Sequence, residues 1–190
     1  MKNTLLIKSL LALLVAAPLF SACSNDDDDP KPDEDNEQIT TVTYTLTPSG
    51  GGTPVSITYK DLDGDGGAAP TFTPNLLALA PNTTYTGRLT LLDETKTPAE
   101  NISNEIRNEA NEHLFVFTPS PTLNVTITRT DRDSRGLELG LETRVVTTTP
   151  SVTNDVKTIR VTLRHQPGTK DGTATPGDTD VEVNFPTEVR

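Results

Sequence analysis

Apolar and polar residues alternate along most of the chain from residue 39 onward. In residues 42–46 and 55–59, apolar side chains at every second position are separated by threonine or serine, and a glycine-rich turn lies between the two runs. Successive side chains of a β-strand point to opposite faces of a sheet, so this spacing predicts a hairpin with one buried face. Runs of the same kind follow around residues 89–91, 115–117, 123–127, 145, 159–163 and 181–185.

These runs are short, are bounded by proline, glycine, aspartate or asparagine, and do not alternate with helical segments. The expected fold is therefore all-β, an antiparallel two-sheet Greek-key sandwich of about seven to nine strands. Residues 79–85, with the sequence LAPNTTY, resemble the tyrosine corner of fibronectin type III and immunoglobulin-like sandwiches. This resemblance implies that the Tyr85 hydroxyl bonds to the backbone just upstream.

One short helix is expected to interrupt the β pattern. Residues 97–100, with the sequence TPAE, have the form of a capping box with proline at the first helical position. Ile102 and Ile106 lie four residues apart on one face, and Ala110 continues that face. The pattern predicts a helix over about residues 98–111 that covers the end or edge of the sandwich, with a lid over a binding site as the alternative.

The N-terminal residues have the organisation of a bacterial signal peptide. Two lysines precede an apolar run over residues 10–20, whose 11 residues are fewer than the roughly 20 that a membrane-spanning helix needs. Phe20-Ser21-Ala22-Cys23 resembles the lipobox of bacterial lipoproteins, in which small residues precede the cysteine that receives a diacylglyceryl group. The resemblance implies removal of residues 1–22 and lipidation of Cys23. Ordinary secretory cleavage, with a free thiol left at the new N-terminus, is the alternative.

An acidic segment follows the cysteine. Residues 24–38 contain eight acidic residues and one lysine, a net charge of 1 − 8 = −7, and no apolar residue. Such a composition predicts an extended, disordered tether over residues 23–38, with the folded domain over residues 39–190. The cluster resembles the surface-export signal of Bacteroidota lipoproteins, which implies an outer-membrane protein that faces the cell exterior. A spacer on the periplasmic face is the alternative.

A first candidate metal site is a calcium loop. Asp61, Asp63 and Asp65 alternate with other residues and glycine follows the second and third, as in the first half of an EF-hand loop. The position of the bidentate glutamate holds a phenylalanine, so a calcium site needs carboxylates from another loop, and Asp131 and Asp133 are the candidates. The alternative is that both segments are Asp/Gly turns.

A second candidate metal site involves the two histidines. His113 and His165 have the same parity as the apolar residues of the strands in which they lie, so both imidazoles are expected to face inward. If they meet, they form with Asp61 a candidate zinc or copper site. The alternative is a half-buried pair that is satisfied by the backbone or by Glu112.

The sequence offers little for catalysis. It has no nucleophile elbow and no H-E-x-x-H motif, which leaves a hydrolase with a carboxylate pair as the enzymatic alternative. Its net charge of −11 argues against a nucleic-acid partner.

Taken whole, the chain resembles a group of short outer-membrane lipoproteins of Bacteroidota in its acidic tether, the loop at 61–67 and the segments 112–115 and 163–165. The sequence thus predicts a non-enzymatic, membrane-anchored surface lipoprotein whose sandwich is a binding or assembly module for an unidentified protein or glycan partner. A metal-binding lipoprotein is the alternative.

Overall fold

The computed structural model describes residues 37–64, 66–151 and 157–190, all of which belong to one compact unit, Asp35–Arg190. These residues form ten strands and one helix, and each predicted run of alternating residues lies within or beside a strand. In chain order the elements are β1 (Thr41–Pro48), β2 (Val55–Lys60), β3 (Thr71–Thr73), β4 (Leu77–Leu79), β5 (Thr84–Leu92), α1 (Ile102–Asn108), β6 (His113–Pro119), β7 (Val125–Arg129), β8 (Glu142–Thr147), β9 (Thr158–His165) and β10 (Asp178–Val189).

The strands form two packed sheets. One sheet has six strands in the order β3-β2-β1-β5-β8-β7, and the other has four in the order β4-β10-β9-β6. Neighbouring strands are antiparallel, except that β4 and β10 pair in parallel. The fold is an all-β sandwich with one inserted helix, as the alternation predicts. The described strands number ten rather than about seven to nine because β3 and β4, only three residues each, carry too short a pattern to recognise.

Apolar side chains from both sheets form the core between them. The ring of Tyr44 from β1 lies against those of Phe117 from β6 and Phe185 from β10, with ring centroids 5.8 and 6.3 Å apart. Their removal from water is the main force that holds the two sheets together. The buried Tyr44 hydroxyl is hydrogen-bonded to the Thr143 hydroxyl at 2.8 Å, so the core leaves this polar group satisfied.

The tyrosine at the start of β5 makes the hydrogen bond expected of it. The backbone N–H of Ala80 donates to the Tyr85 hydroxyl at 2.8 Å, and the tyrosine is only 2% exposed. The contact fixes the turn that leads from the short strand β4 in one sheet to β5 in the other. The wider likeness to immunoglobulin and fibronectin sandwiches stays a prediction.

The helix begins later and ends earlier than the predicted range of about 98–111, and the predicted capping box is wrong. Helix α1 covers Ile102–Asn108, and its N-cap residue Asn101 makes no side-chain cap hydrogen bond. The reason is a local β-bridge. The backbone N–H and C=O groups of Glu100 pair with those of Asp93 at 3.0 and 3.1 Å, so Glu100 is held in an extended bridge and cannot enter a helical turn.

Helix α1 covers the end of β5. Its buried residues include Ile102 and Ile106, the predicted apolar face, and the Ser103 hydroxyl accepts a hydrogen bond from the Leu91 N–H at 2.7 Å. Strand β8 pairs with β5 only as far as Arg88, so the helix covers a length of strand that would otherwise have a free edge. Within the described ranges, no helix is long and apolar enough to cross a membrane.

Candidate metal centre

The two histidines meet at one end of the four-stranded sheet. His113 is the first residue of β6 and His165 the last of β9, and the antiparallel register places them directly opposite each other. Their rings are stacked, with centroids 4.8 Å apart and an interplanar angle of 7°. The side chains of His113 and His165 are 1% and 13% exposed. The structure therefore brings together the two residues that the sequence places on inward rows.

Asp180 completes a three-residue group with the histidines. It lies in a β-bulge, because the register of β10 on β9 shifts between Thr179 and Val181. A bulge adds one residue to a strand and redirects its side chain. The Asp180 side chain has 0% exposure, and Oδ2 lies 3.9 Å from His113 Nε2. Neither of its oxygens has a hydrogen-bond partner among the described residues.

Glu37 approaches the same histidine from a different part of the chain. It lies four residues before β1, in the segment that the sequence assigns to the tether. Its side chain is only 9% exposed, and Oε1 lies 3.6 Å from His113 Nε2. Both carboxylate oxygens are buried without a hydrogen-bond partner among the described residues, as is His113 Nε2 itself.

The spacing of these atoms is suited to a metal ion between them. One ligand atom from each of His113, His165 and Asp180 lies within 4.8 Å of the other two, and Glu37, Glu109 and His113 form a second such group. Two atoms bound to one tetrahedral zinc ion lie about 3.4 Å apart, given bonds of about 2.0–2.1 Å. The separations of 3.6 and 3.9 Å around His113 Nε2 are too long for hydrogen bonds but close to this value.

The second nitrogen of His113 has a partner that fixes the ring. Nδ1 lies 3.2 Å from the backbone carbonyl oxygen of Glu109, just beyond helix α1. A carbonyl oxygen only accepts, so Nδ1 carries the proton and donates it, and the lone pair is left on Nε2. Metal-binding histidines commonly donate their other N–H to a carbonyl or carboxylate in this way. Nε2 therefore presents its lone pair to Glu37 and Asp180, which makes it suitable as a metal ligand.

Burial disfavours charge on three side chains of this site. Burial, then repulsion from the Asp180 carboxylate, raises the pKa of Glu37 from 4.5 to about 8. Burial also raises the pKa of Asp180 from 3.8 to about 6, although His165 opposes the shift. Burial lowers the pKa of His113 from 6.5 to about 4. Each pKa shift disfavours the charged form of its group, and for Asp180 burial outweighs the attraction of His165 and Arg164, which both lower its pKa.

An acidic cavity of about 470 Å³ adjoins the centre. Its walls carry four carboxylates, from Glu37, Asp61, Asp180 and Glu182, and no lysine or arginine among the described lining residues. Asp61 has partners of its own, since the Tyr59 hydroxyl donates to Oδ2 at 3.1 Å and the Gly64 N–H donates to Oδ1 at 3.0 Å. The predicted third ligand, Asp61, thus lines the cavity that adjoins Glu37 and Asp180, and it is Asp180 that lies beside the histidines.

The carboxylates of the predicted calcium site serve local turns. Asp63 Oδ2 accepts from the Ala68 N–H at 2.8 Å, and Asp131 Oδ1 accepts from the Gly140 N–H at 2.7 Å. Asp133 Oδ1 accepts two backbone N–H groups, and its Oδ2 lies 3.1 Å from Lys170 Nζ. None of these aspartates belongs to a metal-ligand group within the described residues. Asp65 and Cys23 lie outside the described residues, and the calcium site stays a prediction.

Sequence reasoning missed Glu37 and Asp180, each for an identifiable reason. The row Val181, Val183 and Phe185 places Asp180 on the outer face, and only the bulge, which alternation cannot reveal, turns it inward. Glu37 continues the acidic run before it, and the composition of that run predicts a tether rather than part of a site. One signal was available: β9 and β10 form a hairpin, so an aspartate at the start of β10 had to lie near His165.

Comparison of the chain with family models, with curated proteins and with solved structures gave no match. The proposed function therefore depends on the geometry described above and on the sequence motifs.

Proposed function

We propose that this chain is a non-enzymatic, lipid-anchored surface protein of the outer membrane whose sandwich binds a transition-metal ion through His113, His165 and Asp180. One observation carries the metal-binding part. Two stacked histidines lie beside an aspartate with 0% side-chain exposure whose two oxygens have no hydrogen-bond partner among the described residues.

A bound cation accounts for the unpaired carboxylate. Buried polar groups are almost always hydrogen-bonded, and a buried charge without a partner is strongly destabilising. His113 cannot supply the positive charge at neutral pH, since burial lowers its pKa to about 4. His165 and Arg164 attract the Asp180 carboxylate but do not offset its burial, because its pKa stays raised, at about 6. A divalent ion neutralises the Asp180 carboxylate and takes the lone pair on His113 Nε2 at the same time.

The ligand types favour zinc or copper over calcium. Imidazole nitrogen suits zinc, copper, iron and nickel, whereas calcium takes oxygen ligands almost exclusively. Two histidines and one carboxylate form a common set for zinc. The acidic cavity supports binding of a cation of either kind, because acidic side chains without lysine or arginine among its described lining residues attract cations and disfavour anions.

The metal proposal is tested by one substitution in β10 and a matched control nearby. We expect the purified full chain to bind one zinc ion in equilibrium dialysis and Asp180→Asn to weaken binding at least about tenfold, because an amide is a poor zinc ligand. The control is Asp178→Asn, which removes the same charge two residues away at an exposed position. Absence of zinc binding by the wild-type chain, or equal losses in both variants, contradicts the proposal.

The anchor is supported by the sequence motif around Cys23 and by the acidic run after it. Two or three acyl chains hold a protein stably at a membrane, whereas one chain holds it only marginally. We expect the wild-type chain to fractionate with the outer membrane and Cys23→Ser to be released from it.

Digestion of the sandwich by protease added to intact cells supports surface display. Its survival there, with digestion after permeabilisation, places the domain on the periplasmic face instead.

A further inference from the structure

We propose that Glu37 is a fourth ligand of this metal ion, so that metal binding fastens the segment that joins the N-terminal tether to the sandwich. The inference rests on the proposed three-residue site and adds to it a ligand from outside the sheets. On this proposal the bound ion holds Glu37, and with it the start of the described chain, against the sandwich.

The position of the Glu37 carboxylate is the first support. Oε1 lies 3.6 Å from His113 Nε2, the same nitrogen that Asp180 Oδ2 approaches at 3.9 Å. Two carboxylates from separate segments of the chain therefore lie near the same nitrogen, which links the group of Glu37, Glu109 and His113 to that of His113, His165 and Asp180. Their separations from Nε2 exceed hydrogen-bonding distance and are near the spacing of ligands around one ion.

The second support is that Glu37 has no other favourable partner in the described part of the chain. Its side chain is 9% exposed, its one ion-pairing contact there is with His113, and both oxygens lack hydrogen bonds. Asp180 and Glu109 are close enough to repel its charged form. A charged Glu37 side chain would be more stable in water than in this buried position beside other carboxylates. A cation between Glu37, Asp180 and His113 removes the repulsion between the two carboxylates.

Glu109 is the competing fourth ligand, because it belongs to the same group of ligand atoms as Glu37 and His113. It is exposed, however, and its contribution to the site is the backbone carbonyl oxygen that faces His113 Nδ1. Its carboxylate therefore loses nothing by remaining in water, whereas that of Glu37 is already desolvated. The burial of Glu37 favours it as the ligand.

The consequence concerns the point at which the chain enters the fold. The six-stranded sheet begins to hold the chain at Thr40, whose N–H donates to the Leu92 carbonyl at 3.0 Å. Ile39 packs against the core, and Glu37 lies two residues farther toward the N-terminus. A metal bond to Glu37 extends the fixed part of the chain to that residue, and loss of the ion removes this constraint from Glu37 and Gln38.

The test measures zinc affinity and local mobility in the same variants. Zinc chloride is titrated against the purified full chain in competition with a chromophoric chelator, and hydrogen exchange is followed in a peptide that covers residues 37–40. We expect Glu37→Gln to weaken zinc binding about tenfold or more, and zinc to slow exchange in this peptide for the wild type but not for Glu37→Gln. Glu109→Gln, the matched control, is expected to resemble the wild type in both measurements.

Two results would overturn the inference. If Glu37→Gln binds zinc as tightly as the wild type while Asp180→Asn does not, the three-residue site stands and the fourth ligand is refuted. If zinc binds but leaves exchange at residues 37–40 unchanged in the wild type, the fastening of the junction is refuted. A wild-type chain that binds no zinc refutes the underlying site, so failure of the two proposals is distinguishable.

Discussion

Glu37 and Asp180 are the two side chains of the candidate metal site whose negatively charged forms are disfavoured by burial. Both are carboxylic acids in a place where burial raises their pKa, to about 8 and about 6. A carboxyl group with a raised pKa in the folded state stabilises the fold while it is protonated. That contribution is fully present below its unfolded pKa and is lost as the pH rises through the folded pKa.

This relation predicts a pH dependence of stability that metal removes. Three residues of the site have shifted pKa values: Glu37, Asp180 and His113. Of these, Glu37 is the one whose folded-state pKa, about 8, lies above pH 6.5, so it is the one that loses its proton between pH 6.5 and about 8. We expect the thermal midpoint of the chelator-treated chain to fall through this range, and the fall to disappear in Glu37→Gln. Because zinc competes with the proton for the carboxylate, excess zinc should reverse the trend. A flat midpoint for the metal-free wild type in calorimetry would contradict this account.

Single side chains also show the limit of prediction from sequence. The meeting of His113 and His165 follows from alternation and from the pairing of their strands. The aspartate beside them does not, because one extra residue in β10 reverses the face on which Asp180 lies. Alternation assigns faces only while a strand stays regular, and sites built on bulges are therefore hidden from it.

Strands and helices were predictable to different degrees. Period-two alternation located the long strands because each has one buried face, as in β1 and β9. The predicted start of the helix is wrong, since the TPAE segment satisfies the rule for a capping box while Asp93, seven residues earlier, pairs with the Glu100 backbone. Tertiary hydrogen bonds override local signals where both compete for the same N–H group.

A buried ion pair connects two loops beside the metal centre. Lys170 Nζ lies 3.1 Å from Asp133 Oδ2, and both side chains have 0% exposure. Lys170 also donates to the Ala110 carbonyl at 2.8 Å, beyond the end of helix α1. One lysine thus holds the loop before β8, the loop after β9 and the chain segment that leads to His113.

We expect Lys170→Met to lower the free energy of unfolding by about 3 kcal/mol, because it leaves the Asp133 carboxylate buried without its cation. Urea denaturation measures the loss. The matched control is Lys60→Met, which removes the partly exposed ion pair with Glu94 and should cost less than about 1 kcal/mol. The double variant Lys170→Met/Asp133→Asn is expected to regain part of the loss. Equal losses in the two single variants would show that the buried ion pair stabilises the fold no more than the partly exposed pair does.

The proposed ligands converge because of the topology of the molecule. Strand β6 begins with His113, β9 ends with His165, and Asp180 is the third residue of β10, so the antiparallel order β10-β9-β6 brings all three to one end of the sheet. Glu37 lies where the chain enters the sandwich before β1. The candidate metal centre and the point at which the described chain enters the sandwich therefore lie together, so one ion could bind residues of both.

The central claim is that one transition-metal ion lies between His113, His165 and Asp180. A crystal structure of the chain grown with zinc chloride, with anomalous data collected on both sides of the zinc absorption edge, tests it most directly. The account predicts an anomalous peak about 2.0–2.1 Å from His113 Nε2, from a ring nitrogen of His165 and from an Asp180 oxygen. A zinc-saturated crystal without a peak at this site, with the Asp180 carboxylate unchanged, would contradict it.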